Sequence, residues 1–120
     1  MPCYERKDKN SAFSLFFLKG ENEEMLESKF QAEVIRDIKD RLPGCVIIKN
    51  DPNYIQGLPD LLVLYKNKWG ALECKGSYNS ARQPNQEYYV TLMDEMSFSR
   101  FIFPQNKEAV LNDLQRSFLS

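Results

Sequence analysis

The chain has 120 residues, 42% of them hydrophobic and 28% charged, with a formal net charge of −1. Those values describe one ordinary globular domain, and no apolar run approaches the roughly 20 residues of a membrane-spanning helix. Histidine is absent, which excludes Ser-His-Asp and Cys-His catalysis and any histidine-ligated zinc or iron.

Three cysteines, Cys3, Cys45 and Cys74, are odd in number and show no paired spacing. Neither a disulfide framework nor a zinc knuckle is expected, and a reducing, cytoplasmic setting is. Chemistry must therefore come from carboxylates, lysines, hydroxyls or a metal ion held by oxygen. The near-neutral charge argues mildly against a general nucleic-acid coat. An enzyme acting on DNA, however, needs only a local basic surface, and bound divalent ions add to it.

In chain order, residues 1–20 read as an N-terminal arm and residues 21–120 as the domain. The stretch Ala12 to Leu18 lacks a small-residue cleavage site, so it reads as a buried strand or packing arm rather than a secretory signal. Its large residues Phe13, Leu15, Phe16, Phe17 and Leu18 suit covering the core or pairing two subunits. From about Asn22 to Leu42, Leu26, Phe30, Val34, Ile35 and Ile38 recur at three- and four-residue steps, which predicts a helix ended by Pro43 and Gly44. Cys45 to Lys49 is a β-branched run, a strand, and Asn50 to Gly57 is a loop.

Leu61 to Tyr65 is apolar at every position, as expected of an interior strand covered on both faces. Lys66, Asn67 and Lys68 make a turn, and Trp69 to Lys75 returns as the hairpin partner. Alternation puts Trp69, Ala71, Glu73 and Lys75 on one face, and Gly70, Leu72 and Cys74 on the other. A second helix is predicted from Pro84 or Asn85 to Met93, with Tyr89, Leu92 and Met93 inward. A fourth strand follows at Phe98 to Phe103. The last helix opens at Asn106 as N-cap and buries Val110, Leu111, Leu114 and Phe118. The expected architecture is α/β, with a mixed central sheet of about four strands flanked by helices on both faces.

Within this frame, Asp60 opens one apolar strand and Glu73-Cys74-Lys75 closes its neighbour. Two carboxylates and an ammonium meeting at one strand end are what metal-assisted phosphodiester hydrolysis needs. A Mg²⁺ or Mn²⁺ ion polarises its water and clamps the phosphate, and such hard cations take oxygen ligands while keeping several waters. Asp60 and Glu73 are the direct metal ligands on this reading, with the backbone carbonyl of Cys74 as a third. Lys75 orients the attacking water and stabilises charge in the transition state.

Five segments in order carry a resemblance: Glu27 to Gln31 (ESKFQ), Asn50 before a loop, Gly57 to Leu64 (GLPDLLVL), Leu72 to Gly76 (LECKG), and Ser80 to Leu92 (SARQPNQEYYVTL). Together they resemble the PD-(D/E)XK nuclease superfamily, and most closely its stand-alone, virus-type replication-repair nucleases (VRR-NUC). The resemblance implies a restriction-endonuclease-like core and a homodimer that cuts DNA, duplex or branched, with Mg²⁺ or Mn²⁺. It gives the catalytic roles to Asp60, Glu73 and Lys75, makes Glu27 the helix acid that holds a metal-bound water, and puts Gln86 in an accessory place. Glu33, on the other flank of the same helix, competes with Glu27. Lys49, Asn50 and Arg82 are candidate DNA contacts, with Asn50 open between touching DNA and shaping its loop. Lys66 and Lys68 read as turn residues. Trp69, Tyr78, Tyr88 and Tyr89 either stack on exposed bases or pack in the core. The competing class is a non-catalytic nucleic-acid-binding or assembly module that keeps the same fold.

Overall fold

In the computed structural model, residues 23–120 are described, with side chains from residue 27 onward. The expected arm of residues 1–20, with its role in subunit pairing, lies outside the described residues. The elements are helix α1 (Glu23–Arg41), strands β1 (Val46–Lys49), β2 (Leu61–Tyr65) and β3 (Lys68–Cys74), helix α2 (Pro84–Met96), strand β4 (Ser99–Ile102) and helix α3 (Lys107–Leu119). Every element predicted from the first helix onward is present in the predicted order. Among the described residues, no helix is long and apolar enough to cross a membrane.

The four strands form one sheet in the order β1-β2-β3-β4. The first two pairings are antiparallel and the third is parallel. The parallel step requires a crossover, and α2 supplies it. Tyr65 pairs with Lys68, so the hairpin loop is the two residues Lys66 and Asn67. Lys66 takes the positive φ (56°) that primed hairpin turns demand. Lys68, expected in that turn, instead opens β3. Its ammonium reaches the carbonyls of Ser117 (3.3 Å) and Ser120 (3.0 Å) at the end of α3. There it satisfies backbone acceptors that the helix leaves unpaired and complements the helix dipole.

The core lies on one face of the sheet. The α1 stripe of Phe30, Val34, Ile38 and Leu42 meets the α3 stripe of Val110, Leu111, Leu114 and Phe118 over Leu61, Val63, Leu72, Cys74 and Ile102. Gly70 lies beneath α3, where a Cβ would come within 2.9 Å of Leu114, so only a bare Cα lets helix and strand approach this closely. At the helix ends, Arg41 bonds Glu108 (2.7 Å) and Lys107 bonds Asp37 (2.6 Å), tying α1 to α3.

The other face carries α2, which packs on β3 and β4. Its buried residue is Val90; Tyr89, Leu92 and Met93, expected inward, are only half-buried. Coverage of this face is partial, which corrects the expectation of a β2 buried on both sides. Leu62 and Leu64 are half-buried, and Val46 and Ile48 on β1 are exposed. Asn106 holds the N-cap position of α3 as expected, its carbonyl accepting the Val110 N–H (2.9 Å), but its side chain makes no capping bond. Its side chain turns back to accept from the Phe103 N–H (2.8 Å) and donate to the Phe101 carbonyl (3.2 Å), closing the β4–α3 turn.

Candidate active site

Alternation along β3 is the starting point. Leu72 and Cys74 enter the core, which turns Glu73 and Lys75 toward the face that carries α2. Since Leu61 pairs with Leu72, continuing the register by one step sets Asp60 opposite Glu73. Asp60 is anchored there by its own carboxylate, whose Oδ2 accepts the backbone N–H of Cys74 at 3.0 Å. The bond spans two strands at the point where the ladder ends, so the Asp60 side chain does the work of a backbone partner.

The segment leading to Asp60 is set by Asn50. Its Nδ2 donates to the Pro59 carbonyl (2.6 Å), and its backbone N–H donates to the Asp60 carbonyl (2.8 Å). Asn50 therefore shapes the loop that presents Asp60. Gly57, with φ of 95°, lets that loop lie against the first turn of α2. A Cβ there would come within 2.9 Å of the Asn85 backbone, and Asn85 Nδ2 donates to the Gln56 carbonyl (3.3 Å).

Gln86 binds the site together. Its Nε2 donates to Glu73 Oε2 at 3.0 Å, and its Oε1 accepts from Lys75 Nζ at 2.9 Å and from the Gln83 N–H at 3.0 Å. The amide oxygen assignment is thereby fixed, because an ammonium can only donate. Lys75 Nζ lies 3.8 Å from Glu73 Oε2, so Gln86 separates a loose ion pair and holds both ends of it. Glu73 and Lys75 are both buried, at 3% and 8% exposure.

Burying acids this deeply is unfavourable unless a cation accompanies them. Burial and the neighbouring Asp60 charge push the Glu73 carboxyl up to about 8, with Lys75 and the nearby Asp60 backbone amide only partly opposing. Burial also raises Asp60, against the Cys74 N–H and Lys75. Glu73 Oε1 is shielded from solvent and has no partner in hydrogen-bonding geometry. An orphaned buried oxygen on a destabilised acid, beside a second acid, fits a cation-binding position. Among the described residues no set of three or more His, Cys, Asp or Glu converges on one point. Two carboxylates, Asp60 and Glu73, are what the described side chains offer a hard cation, so further oxygens would come from backbone and water.

The remaining sequence candidates fall on both sides of this centre. The Glu27 charge acts on Glu73 and on Cys74. Glu33 lies 3.8 Å from Lys107 at the start of α3. Lys49 ends β1 as the register partner of Leu61, so alternation puts it on the face opposite Glu73. Arg82 lies on the site face: its guanidinium sits 4.4 Å over the ring of Phe101 and 5.9 Å from that of Phe103. Phe101 is the register partner of Glu73. Phe101 and Phe103 were not among the sequence candidates, because their closeness to Glu73 depends on the parallel β3–β4 pairing across a crossover. Of the four aromatic residues left open, Trp69 and Tyr89 are half-buried, while Tyr78 and Tyr88 are exposed.

Comparison of the chain with protein-family models, curated proteins and solved structures finds no match.

Proposed function

We propose that the chain is a metal-dependent DNA endonuclease with a restriction-endonuclease-like core of the PD-(D/E)XK, VRR-NUC type. The observation that carries the reading is the convergence of Asp60, Glu73 and Lys75 at one end of the sheet, with Gln86 bonded to both Glu73 and Lys75. Glu73 Oε1 is the free ligand atom, and Asp60 supplies the second carboxylate. A strand residue turns its N–H and C=O toward the same neighbour. The Cys74 N–H goes to Asp60, so the Cys74 carbonyl faces the same gap and supplies the third oxygen. Glu27 acts through water, in keeping with its electrostatic reach to Glu73.

A Mg²⁺ or Mn²⁺ ion bound by these oxygens lowers the pKa of its water and neutralises charge on the scissile phosphate. Lys75 points its ammonium at the space beside Glu73, where it hydrogen-bonds the attacking water and offsets the negative charge that builds on the phosphoryl oxygens. Gln86 fixes the Lys75 ammonium in one place, which removes the rotamer freedom a long side chain otherwise loses on reaching the transition state. Asp60 is held through Oδ2 by the Cys74 amide, so on this reading Oδ1 is the oxygen it gives the cation. Branched DNA is the substrate proposed, with a homodimer as the working form and the cytoplasm as its place.

The test is cleavage by purified protein with Mn²⁺ or Mg²⁺ of labelled duplex, single-stranded, flap and junction DNA. Asp60→Asn, Glu73→Gln and Lys75→Ala each abolish cleavage while the far-UV spectrum and unfolding transition persist. Metal-dependent cleavage retained by all three single variants would overturn the reading. The second reading, a binding module without turnover, draws on the net charge of −1 and on the convergence of no more than two carboxylates among the described residues. It predicts no Mn²⁺-dependent rise in melting temperature, whereas a metal enzyme gains stability as RT ln(1 + [M]/Kd).

A further inference from the structure

One group of side chains beside the site has no part in the cation chemistry. Tyr78, Phe101, Phe103 and Arg82 form a continuous patch on the edge of the sheet next to Glu73. Phe103 braces Tyr78, with ring centroids 5.9 Å apart and a 46° tilt. The Arg82 guanidinium carbon sits over the Phe101 ring, 4.4 Å from its centroid. Tyr78 is 60% exposed, and its backbone N–H donates to Gln105 Oε1 (3.3 Å). Arg82 makes no ion pair with any described acid. A guanidinium stacked on an aromatic ring keeps its N–H edge free, and that edge matches a phosphate.

We propose that Tyr78 and Arg82, supported by Phe103 and Phe101, form a subsite for an unpaired nucleotide of the DNA substrate, its base on the Tyr78 ring and its phosphate on Arg82. The proposal rests on the nuclease reading for its position, because Phe101, whose ring Arg82 covers, is the register partner of Glu73. The chemistry selects the occupant. A base inside a duplex is stacked on both sides and has no face to offer, whereas a splayed or single-stranded base does. An exposed aromatic ring beside a guanidinium that has no ion pair among the described residues offers a contact to both parts of a nucleotide. Among the described residues β4 is the outer strand of the sheet on this side. The enzyme would then favour forked or flapped DNA over blunt duplex.

The experiment is fluorescence anisotropy of the full chain with labelled oligothymidylate, forked duplex and blunt duplex, with Ca²⁺ present and again with EDTA. Tyr78→Ala and Tyr78→Leu weaken oligothymidylate and forked-DNA binding by roughly five- to a hundredfold, the range of one lost base stack. Both lose more on forked DNA than on blunt duplex, and Tyr78→Phe restores wild-type affinity. Because Leu still covers Phe103, a loss in the Leu variant reports the missing π-face rather than missing packing. Affinity unchanged in Tyr78→Ala, or restored by Leu, or lost equally for blunt duplex, overturns the subsite. Binding is read without cleavage, so the two readings separate. An inactive protein with Tyr78-dependent binding sinks the nuclease reading alone, and an active enzyme indifferent to Tyr78 sinks only the subsite.

Discussion

Glu73→Gln offers the most direct physical test of the site, because its effect is worked from burial rather than from activity. The folded protein holds the Glu73 carboxyl at about 8 against an ordinary value of 4.5. Between those values the folded state keeps a proton that the unfolded state has released. Stability is therefore full below pH 4.5, falls as pH rises, and has lost its whole increment above about 8. The displacement corresponds to roughly 5 kcal/mol as an upper bound. Local relaxation and water entry bring the expected loss to about 2–3 kcal/mol, which is a Tm decrease on the order of 10 °C for a domain of this size. Glutamine preserves the shape and still accepts from Gln86, but it has no charge to bury. In EDTA, differential scanning calorimetry should show the wild-type Tm falling between pH 5 and 8.5, and the variant nearly level across that range. Added Mn²⁺ should recover the wild-type loss at pH 8 and leave the variant unmoved, since the cation favours the ionised acid. Parallel wild-type and variant curves, or a wild-type Tm that rises through this window, would refute the account of Glu73 as an uncompensated buried acid.

Gln86→Ala removes the bonds to both Glu73 and Lys75, so metal affinity or cleavage should fall roughly ten- to a hundredfold with a smaller change in Tm. A Mn²⁺ titration that matches wild type, together with full activity, would show the bridge to be idle. Gly57→Ala sets a Cβ within 2.9 Å of the Asn85 backbone at a positive φ, and should destabilise by about 1–3 kcal/mol in urea unfolding while lowering activity through the displaced α2 start. An unfolding midpoint equal to wild type would show that the loop and α2 do not depend on this close approach.

The amino-acid sequence by itself determined the elements and their order, because helix and strand leave different periodicities. Phe30, Val34 and Ile38 step by four along α1, and all three are core residues. It also determined which face of β3 carries Glu73 and Lys75, since Gly70, Leu72 and Cys74 alternate with Ala71, Glu73 and Lys75 and the set with two charged residues does not enter an apolar core. The register that sets Asp60 opposite Glu73 came from the structure: the expected turn held three residues, Lys66 to Lys68, whereas Tyr65 pairs with Lys68 across a two-residue turn.

Contacts between elements distant in sequence were decided by the tertiary structure. That Gln86 reaches both Glu73 and Lys75 depends on how α2 lies across β3, which no local pattern encodes. The neighbourhood of Phe101 and Arg82 depends on a parallel pairing made across a whole helix. Lys68 looked like a turn residue because its partners, the last carbonyls of α3, come some fifty residues later. Asn106 had the type of an N-cap, yet its side chain found closer backbone partners in the preceding turn. Residue type fixes what a group is able to bond; packing selects which partner it gets.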